Sequence, residues 1–570
     1  MCGLVGLAYK DALQNTLYES LIKLEYRGYD SFGFAYKEKD MINVYKKVGA
    51  ISKSFSNLPS ISSNVGISHT RWATHGEVSI NNTHPFVSSS KKFYLAHNGI
   101  ITNYEELKKE LLFYGYKFSS STDSEVIVQY LDHLYSSNSS MLESLRILSN
   151  RLKGQFAIVI LTKLNDNIYF LKDKTPLVIG KTRLGMAIVS DTYAISSFGN
   201  EFYDLKDGEY GFINSKSIYV LKNGRKIEPS FYLQDEDKCS IENNNKTFFE
   251  KEIQETPLKL KEMYSKYLED TKLSIDIRIK QIISNSSRIV FVGCGSSFHA
   301  CEIAGYYYSS IKNTKTYLAS EFIEENTITP GDVYILISQS GETQDVIKCL
   351  KYLKNYNQIV ISLTNNIHSS IAKESTFSLP LYMGKEISVA STKAFIGEVS
   401  LLLLLLDKYN EELILLPDYL FNIYQNREKI KNIALKISKF QNAYFLGRGK
   451  DFLAAKEASL KLKEVTYIHS ESIHIGELKH GPIAIENENF LNVIISSSSE
   501  NNKKNEISKK EVESRRGVVL SLFEYLEDKE YLFNEIISIY LVQIISLYIA
   551  IEKGLDVDKP KNLAKSVTVE

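Results

Sequence analysis

The tightest constraint on the fold of this chain is a pattern of strand, glycine-rich turn and helix that occurs twice. Ile289-Val290-Phe291-Val292-Gly293-Cys294-Gly295 is matched 154 residues on by Ala443-Tyr444-Phe445-Leu446-Gly447-Arg448-Gly449. Downstream of each, a second apolar strand runs into serines, at Val333 to Ser338 and at Val493 to Ser498. Short apolar runs that end in glycine and open a helix read as buried parallel strands. Two of them predict two related doubly wound α/β units, in which ligands sit where strands end and helices begin.

The first 222 residues have another rhythm. Strand-length apolar stretches recur at Phe32 to Tyr36, Val65 to Ser68, Phe93 to Ala96, Phe156 to Leu161 and Met186 to Val189. Helical patterns fit Leu13 to Leu24, Tyr104 to Tyr114 and Ser124 to Leu134. Sheets covered by helices follow. At 570 residues the chain has room for about three to four domains. The expected divisions are 1–222, a polar linker 223–246, the two α/β units 247–412 and 413–560, and a tail 561–570.

Sixty-eight Lys and Arg balance 68 Asp and Glu, so no net field gathers nucleic acid or an anionic membrane. The five cysteines (Cys2, Cys239, Cys294, Cys301, Cys349) are odd in number and widely spread, which argues against a disulfide framework or structural zinc and for a reducing cytoplasm. No metal or cofactor is expected. The N-terminus has no signal-peptide pattern. Val399 to Leu406 is too short to span a membrane and Ile536 to Ile551 is interrupted by Ser538, Gln543 and Ser546, so both read as buried helices.

Chemistry concentrates in a few places. Cys2 follows the initiator Met, and trimming Met1 would leave a thiol and a free α-amine on one residue. That amine, with a pKa of about 7.7 to 8, can take the thiol proton near neutrality. His69-Thr70-Arg71-Trp72-Ala73-Thr74-His75-Gly76 places a guanidinium suited to gripping a carboxylate, two imidazoles and the only Trp in one loop. In His97-Asn98-Gly99 a side-chain amide and a glycine N–H make an oxyanion hole. Ser338-Gln339-Ser340-Gly341-Glu342-Thr343 and Cys294-Gly295-Ser296-Ser297 open helices with hydroxyls and N–H groups suited to a phosphate. Glu457, Lys461 and Glu464 share one helical face, followed by His469 and by Gly476-Glu477-Leu478-Lys479-His480-Gly481-Pro482. The C-terminal Asn562-Leu563-Ala564-Lys565-Ser566-Val567-Thr568-Val569-Glu570 is apolar enough to dock.

Together Met1-Cys2-Gly3, Arg27-Gly28-Tyr29-Asp30-Ser31, the loop from His69 to Gly76, Thr83-His84-Pro85, His97-Asn98-Gly99 and Ser121-Thr122-Asp123 resemble the glutamine-hydrolysing domain of the class II amidotransferases. The tandem units resemble paired sugar-isomerase (SIS) domains, and the order of the motifs resembles the glucosamine-6-phosphate synthase family. The resemblance implies an N-terminal nucleophile αββα sandwich before two SIS domains, with α/β and α+β parts. It implies that Cys2 attacks glutamine, that Asn98 and Gly99 hold the oxyanion, that Arg71 and Asp123 grip the α-carboxylate and α-ammonium, and that Trp72, Thr74 and His75 add contacts. Trp72 would also gate ammonia passing internally. On fructose 6-phosphate, Lys565 would form an imine at C2, Glu464 would move the proton between C1 and C2, and His480 would help open the ring. Ser297, Ser338, Gln339, Ser340 and Thr343 would hold the phosphate, with Val389, Ser391 and Lys461 lining the sugar pocket. A homodimer is implied too. An imine-forming Lys would need a pKa below its usual value of about 10.4.

Phe32, Phe86, Ala458 and Lys561 stand where the family usually has Ala, His, Gly and Arg, and Ser496 to Lys504 reads as a loop. Two other readings fit the residues less well. An amidotransferase with another acceptor would carry a pyrophosphate or ATP loop, and neither is found; a non-catalytic phosphosugar sensor would not need Cys2, Glu464, His480 and Lys565 together.

Overall fold

The computed structural model describes residues 2–73, 76–234 and 247–565. The chain divides at residues 238 and 239 into two compact units.

In the first unit, two antiparallel sheets of eight and seven strands stack face to face. Alternating small and branched residues drive the stacking: Leu4, Ala8, Ala35, Ile67, Ala96, Val159 and Ile188 form the layer between the sheets. The helix Thr16–Lys23 covers one outer face. Tyr104–Phe113, Asp123–Asn138 and Met141–Arg151 cover the other through Leu107, Leu111, Ile127, Leu131 and Leu148. The sandwich is therefore helix, sheet, sheet, helix. The stretch from 223, expected to be linker, carries the strands Arg225–Ile227 and Tyr232–Leu233, which pair with Ile218–Lys222 and Gly199–Asp204. Asn223-Gly224 is a hairpin turn there, since Asn223 and Gly224 both take positive φ (50° and 77°). The rest of the expected linker, residues 235–246 with Cys239, lies outside the described residues.

The second unit contains two all-parallel sheets. In the first the order is Asn313–Leu318, Arg288–Gly293, Asp332–Ile337, Ile359–Thr364, Phe377–Pro380; in the second it is His469–His474, Asn442–Gly447, Phe490–Ile494, Val518–Ser521. Each half therefore reverses its winding between its first and third strands, and that switch point opens a crevice beyond the strand ends. The repeat extends to backbone angles: Gly295 (φ 55°, ψ −127°) and Gly449 (φ 52°, ψ −123°) cap the following helices identically. One apolar core runs through both halves around the buried helices Lys393–Leu404 and Asn534–Glu552. The latter is the one helix among the described residues long and apolar enough to cross a membrane, and 94% of its apolar window is buried inside the unit.

Two sequence expectations change. Strand pairing matches Arg288 with Asp332 and Asn442 with Phe490, so Ser338 corresponds to Ser496, two residues before the Ser498 that the apolar pattern aligned with it. The helix Ser499–Glu513, which begins inside the stretch Ser496 to Lys504 expected as loop, is capped by the Ser498 hydroxyl on the Asn501 N–H at 3.2 Å. Its buried face is Asn505, Ser508 and Val512, spaced as a helix requires but too polar to appear as apolar periodicity.

Candidate functional site

Each unit builds its own site. In the first, the strand Gly3–Tyr9 runs between Gly185–Val189 and Val65–Arg71, which places Cys2 at the end of a central strand. The chain there is pinned: Gly3 N–H donates to Thr70 Oγ1 (3.0 Å), Leu4 N–H to Ser190 Oγ (3.1 Å), and the Cys2 carbonyl accepts from Asn98 Nδ2 (3.0 Å) and Arg27 Nε (3.3 Å). Cys2 Sγ accepts the Trp72 N–H at 3.2 Å. Burial pushes the thiol pKa up, while that N–H and the Arg71 and Arg27 guanidinium groups oppose it. A thiol held protonated at rest needs a base before it can act as a nucleophile.

Asn98 is oriented from both sides. His69 Nε2 lies 3.1 Å from the His97 carbonyl and 3.0 Å from Asn98 Oδ1. A carbonyl can only accept, so Nε2 carries the hydrogen and Asn98 must present its oxygen to His69 and its NH2 to Cys2. Gly99, at φ 122°, lies with its missing Cβ 2.0 Å from the Gln155 carbonyl, so only glycine fits. Arg71 takes the carbonyls of Gly76 and Glu77 at 3.3 Å each and is within electrostatic reach of Cys2, Asp30 and Asp123. Asp123 is buried and accepts the Ile101 N–H at 2.9 Å. The structure thus brings Cys2, Arg71, Trp72, Asn98, Gly99 and Asp123 together. Thr74 and His75 lie outside the described residues. Sequence reasoning gave no role to Arg27, to His69 or to Gly28, where a Cβ would lie 2.7 Å from the Trp72 nitrogen. The signal for Arg27 and Gly28 was the motif from Arg27 to Ser31, and for His69 the loop from His69 to Gly76. Phe86, at a family departure, packs edge-on against His84.

In the second unit the first half's crevice holds the phosphate candidates. Ser338 Oγ and Thr343 Oγ1 are 2.8 Å apart at the start of the helix Gln344–Asn355, Ser338 Oγ accepts the Gly341 N–H (3.1 Å), and Ser340 Oγ the Glu342 N–H (3.2 Å). The Gln339 carbonyl ties the loop to Asn365 N–H at 3.0 Å. Ser297 instead donates to Glu398 Oε1 at 2.9 Å. The second half differs: Asp451, at the position of Ser297, accepts from Ser497 N–H (3.1 Å) and Asn501 Nδ2 (2.7 Å), beside a cavity lined by Arg448, Gly449, Lys450, Ser497 and Ser498.

The halves join at charged side chains. Lys461 is fully buried between Glu464 Oε2 (2.5 Å) and Glu457 Oε1 (3.4 Å). Burial alone would lower its pKa; the two carboxylates outweigh that and raise it. Glu457 also accepts from Ser296 Oγ (2.9 Å) and contacts His299 Nδ1 (2.7 Å). Lys565 is ion-paired with the buried Glu386. Val389 N–H donates to the Asp558 carbonyl (3.0 Å), which ties the Val389 to Ser391 loop to the chain just before Lys565. His480 is not brought to this group: its side chain is exposed on the turn Leu478–His480. Glu252, Glu386, Glu398 and Thr392 were missed, because the sequence around a glutamate or a threonine carries no signal of the partners that folding brings to it.

The buried groups give the two units opposite responses to pH. Burial lowers the pKa of His69 to about 3 and also lowers those of His84 and His97. The unfolded chain therefore binds more protons below about 6.5, and the first unit loses about 1.4 kcal/mol per histidine per pH unit as pH falls below that value. Burial raises Glu252 and Glu398 to about 8, so their contribution is full below about 4.5 and is lost as pH rises through 8. Hydrogen exchange resolved by unit should show the first unit weakening from about pH 6.5 downward and the second gaining from these carboxyls between about pH 8 and 5. Parallel slopes in both would contradict these protonation states.

A glutamine-cleaving constellation in one unit and a phosphosugar crevice beside a buried Lys–Glu pair in the other define a two-site amidotransferase. Comparison with known proteins agrees: residues 69–197 match the family described as glutamine amidotransferase domain, and residues 282–408 and 436–523 match the SIS domain. Glutamine–fructose-6-phosphate aminotransferase (isomerizing) of Caldanaerobacter subterraneus subsp. tengcongensis is 36% identical, and that of Clostridium tetani 35%, each over 100% of both chains. The C-terminal domain of glucosamine-fructose-6-phosphate aminotransferase from Francisella tularensis superposes with a TM-score of 0.52 at 29% identity, over 56% of this chain and 100% of its own. The chain belongs to the glutamine–fructose-6-phosphate aminotransferase (isomerizing) family.

Proposed function

We infer that this chain hydrolyses glutamine at Cys2 and delivers the ammonia to fructose 6-phosphate with ketose-to-aldose isomerisation, releasing glutamate and glucosamine 6-phosphate. The observation that carries the reading is the presence of both sets of groups in one chain: Cys2 among the Asn98, Gly99 and Arg71 donors, and the buried Lys461–Glu464 pair with Lys565 docked in the same unit.

On this reading the α-amine exposed by loss of Met1 takes the thiol proton. Cys2 Sγ attacks the side-chain carbonyl of glutamine, and Asn98 Nδ2 and the Gly99 N–H hold the oxyanion. Arg71 binds the α-carboxylate and Asp123 the α-ammonium, with Trp72, Thr74 and His75 completing the pocket. In the other unit the loop from Ser338 to Thr343, with Gln339 and Ser340, grips the phosphate by hydroxyls, N–H groups and the helix N-terminus, with Ser297 at its edge. Val389 and Ser391 line the sugar. Lys565 forms the C2 imine and Glu464 carries the proton from one carbon to the next, with Lys461 holding it in place. His480 assists ring opening, a role that rests on the resemblance. The chain works in the cytoplasm as a homodimer.

The test is product analysis on the purified chain given glutamine and fructose 6-phosphate. Glutamate and glucosamine 6-phosphate should appear in equal amounts, and glutaminase without amino sugar would overturn the reading.

A further inference from the structure

We propose that Glu386 takes the proton from Lys565 as that lysine becomes a nucleophile and returns it as the imine forms, with Thr392 and Glu252 behind it as a positioning relay. This rests on the reading of Lys565 as the imine former.

Thr392 Oγ1 lies 2.8 Å from Glu252 Oε2 and 2.9 Å from Glu386 Oε1. A hydroxyl has one hydrogen and an ionised carboxylate can only accept, so two contacts from one hydroxyl require a proton on one carboxyl group. Glu386 faces donors everywhere: Oε1 accepts the N–H groups of Thr392 (2.9 Å) and Ala394 (3.0 Å), and Oε2 takes Lys565. Glu252 differs. Its Oε1 accepts from Ile387 N–H (2.6 Å) and Ser388 N–H (2.9 Å), whereas its Oε2 meets the Thr392 hydroxyl. The proton therefore sits on Glu252 Oε2 and donates to Thr392 Oγ1, whose own hydrogen donates to Glu386 Oε1.

The electrostatics run the same way. Burial and the neighbouring Glu386 charge push Glu252 up to about 8. Burial would raise Glu386 as well, but Lys565 and the N–H groups of Ala394 and Thr392 hold it below the ordinary carboxylate value. The other charges facing the relay are Lys393, which is ion-paired with Glu255, and Glu398, and Lys461 with its partners Glu457 and Glu464.

The step balances. A proton leaves Lys565 Nζ for Glu386 Oε2, and the freed amine pair attacks C2 of the open ketose. The C2 oxyanion takes a second proton from the attacking nitrogen to give the carbinolamine, whose hydroxyl then receives the first proton back from Glu386 and departs as water as the C=N bond forms. Glu386 touches the reacting nitrogen and is catalytic. Thr392 and Glu252 act through it, and they also set the Val389 to Ser391 loop, since the N–H groups on either side of that loop end on the two glutamates.

The experiment is borohydride trapping of fructose 6-phosphate on the full-length enzyme, read as an adduct on Lys565, from about pH 6 to about 9. Glu386→Gln should slow trapping at least about 100-fold. Glu252→Gln should leave it near wild type, because an amide reproduces a neutral carboxyl, and should abolish the alkaline decline that ionisation of Glu252 gives the wild type. Thr392→Val should behave as Glu386→Gln, and Thr392→Ser as wild type. If Glu386→Gln fails to fold, judged by fructose 6-phosphate binding, the Thr392 pair decides. Trapping at the wild-type rate in Glu386→Gln, or equal damage from Glu252→Gln, overturns the relay while the imine stands. A wild type that traps no sugar on Lys565 overturns the imine reading itself.

Discussion

Replacing Cys2 by Ala should lower glutamine hydrolysis and glutamine-dependent amino-sugar formation by about 10⁴-fold or more, while fructose 6-phosphate binding stays at the wild-type level. The loss is large because one sulfur is the nucleophile and nothing around it can substitute. Thr70, Asn98, Trp72 and Arg27 contact Cys2 or the residue after it as hydrogen-bond partners of backbone and sulfur. The fold should tolerate the change, since the bonds that pin the chain there run to the Cys2 carbonyl and the Gly3 N–H and are kept in alanine. Sugar binding should survive because the loop from Ser338 to Thr343 belongs to the other compact unit. Glutamate release by the variant, isothermal binding of fructose 6-phosphate and the intact mass of the active wild type check this. Full activity with Met1 retained would remove the α-amine from the mechanism, and glutamine use by Cys2→Ala would remove the thiol.

The second large effect concerns the other unit. Lys565→Ala should reduce amino-sugar formation to background and leave some glutamine hydrolysis. It also strands the buried Glu386 without its cation, which costs up to about 3–5 kcal/mol of stability in that unit. Glu464→Gln should cut amino-sugar formation by about 10² to 10⁴-fold, because the amide is isosteric but a poor base. Its effect on stability should be smaller, since Lys461 keeps Glu457 as a partner. Product formation, hydrolysis and sugar binding on both variants separate the roles. Glucosamine 6-phosphate made at the wild-type rate by Lys565→Ala would end the assignment of the imine to that lysine.

Much of this protein is legible in the chain. The doubled strand and glycine pattern determines two parallel-sheet halves, because Gly293 and Gly447 must let the next helix approach so closely that a Cβ would lie 2.9 and 2.5 Å from its backbone. The long helix Asn534–Glu552 follows from an apolar run interrupted only by Ser538, Gln543 and Ser546, and the position of Cys2 and the glycine after Asn98 point to the glutamine chemistry. These are local demands on single residues. What only the tertiary structure decided are relations between residues far apart in sequence. Ser338 pairs with Ser496 because strand register, not apolar pattern, aligns the halves. Asp451 ties together the two sides of the second crevice because its carboxylate reaches donors 46 and 50 residues away. His69 fixes the face of Asn98 from another strand, and Glu252, 134 residues before Glu386, shares with it a single threonine hydroxyl. A glutamate's sequence neighbours do not say whether it is charged. Burial and the hydrogen-bond partners that folding brings to each oxygen decide that, and with it which carboxyl group can take a proton from Lys565.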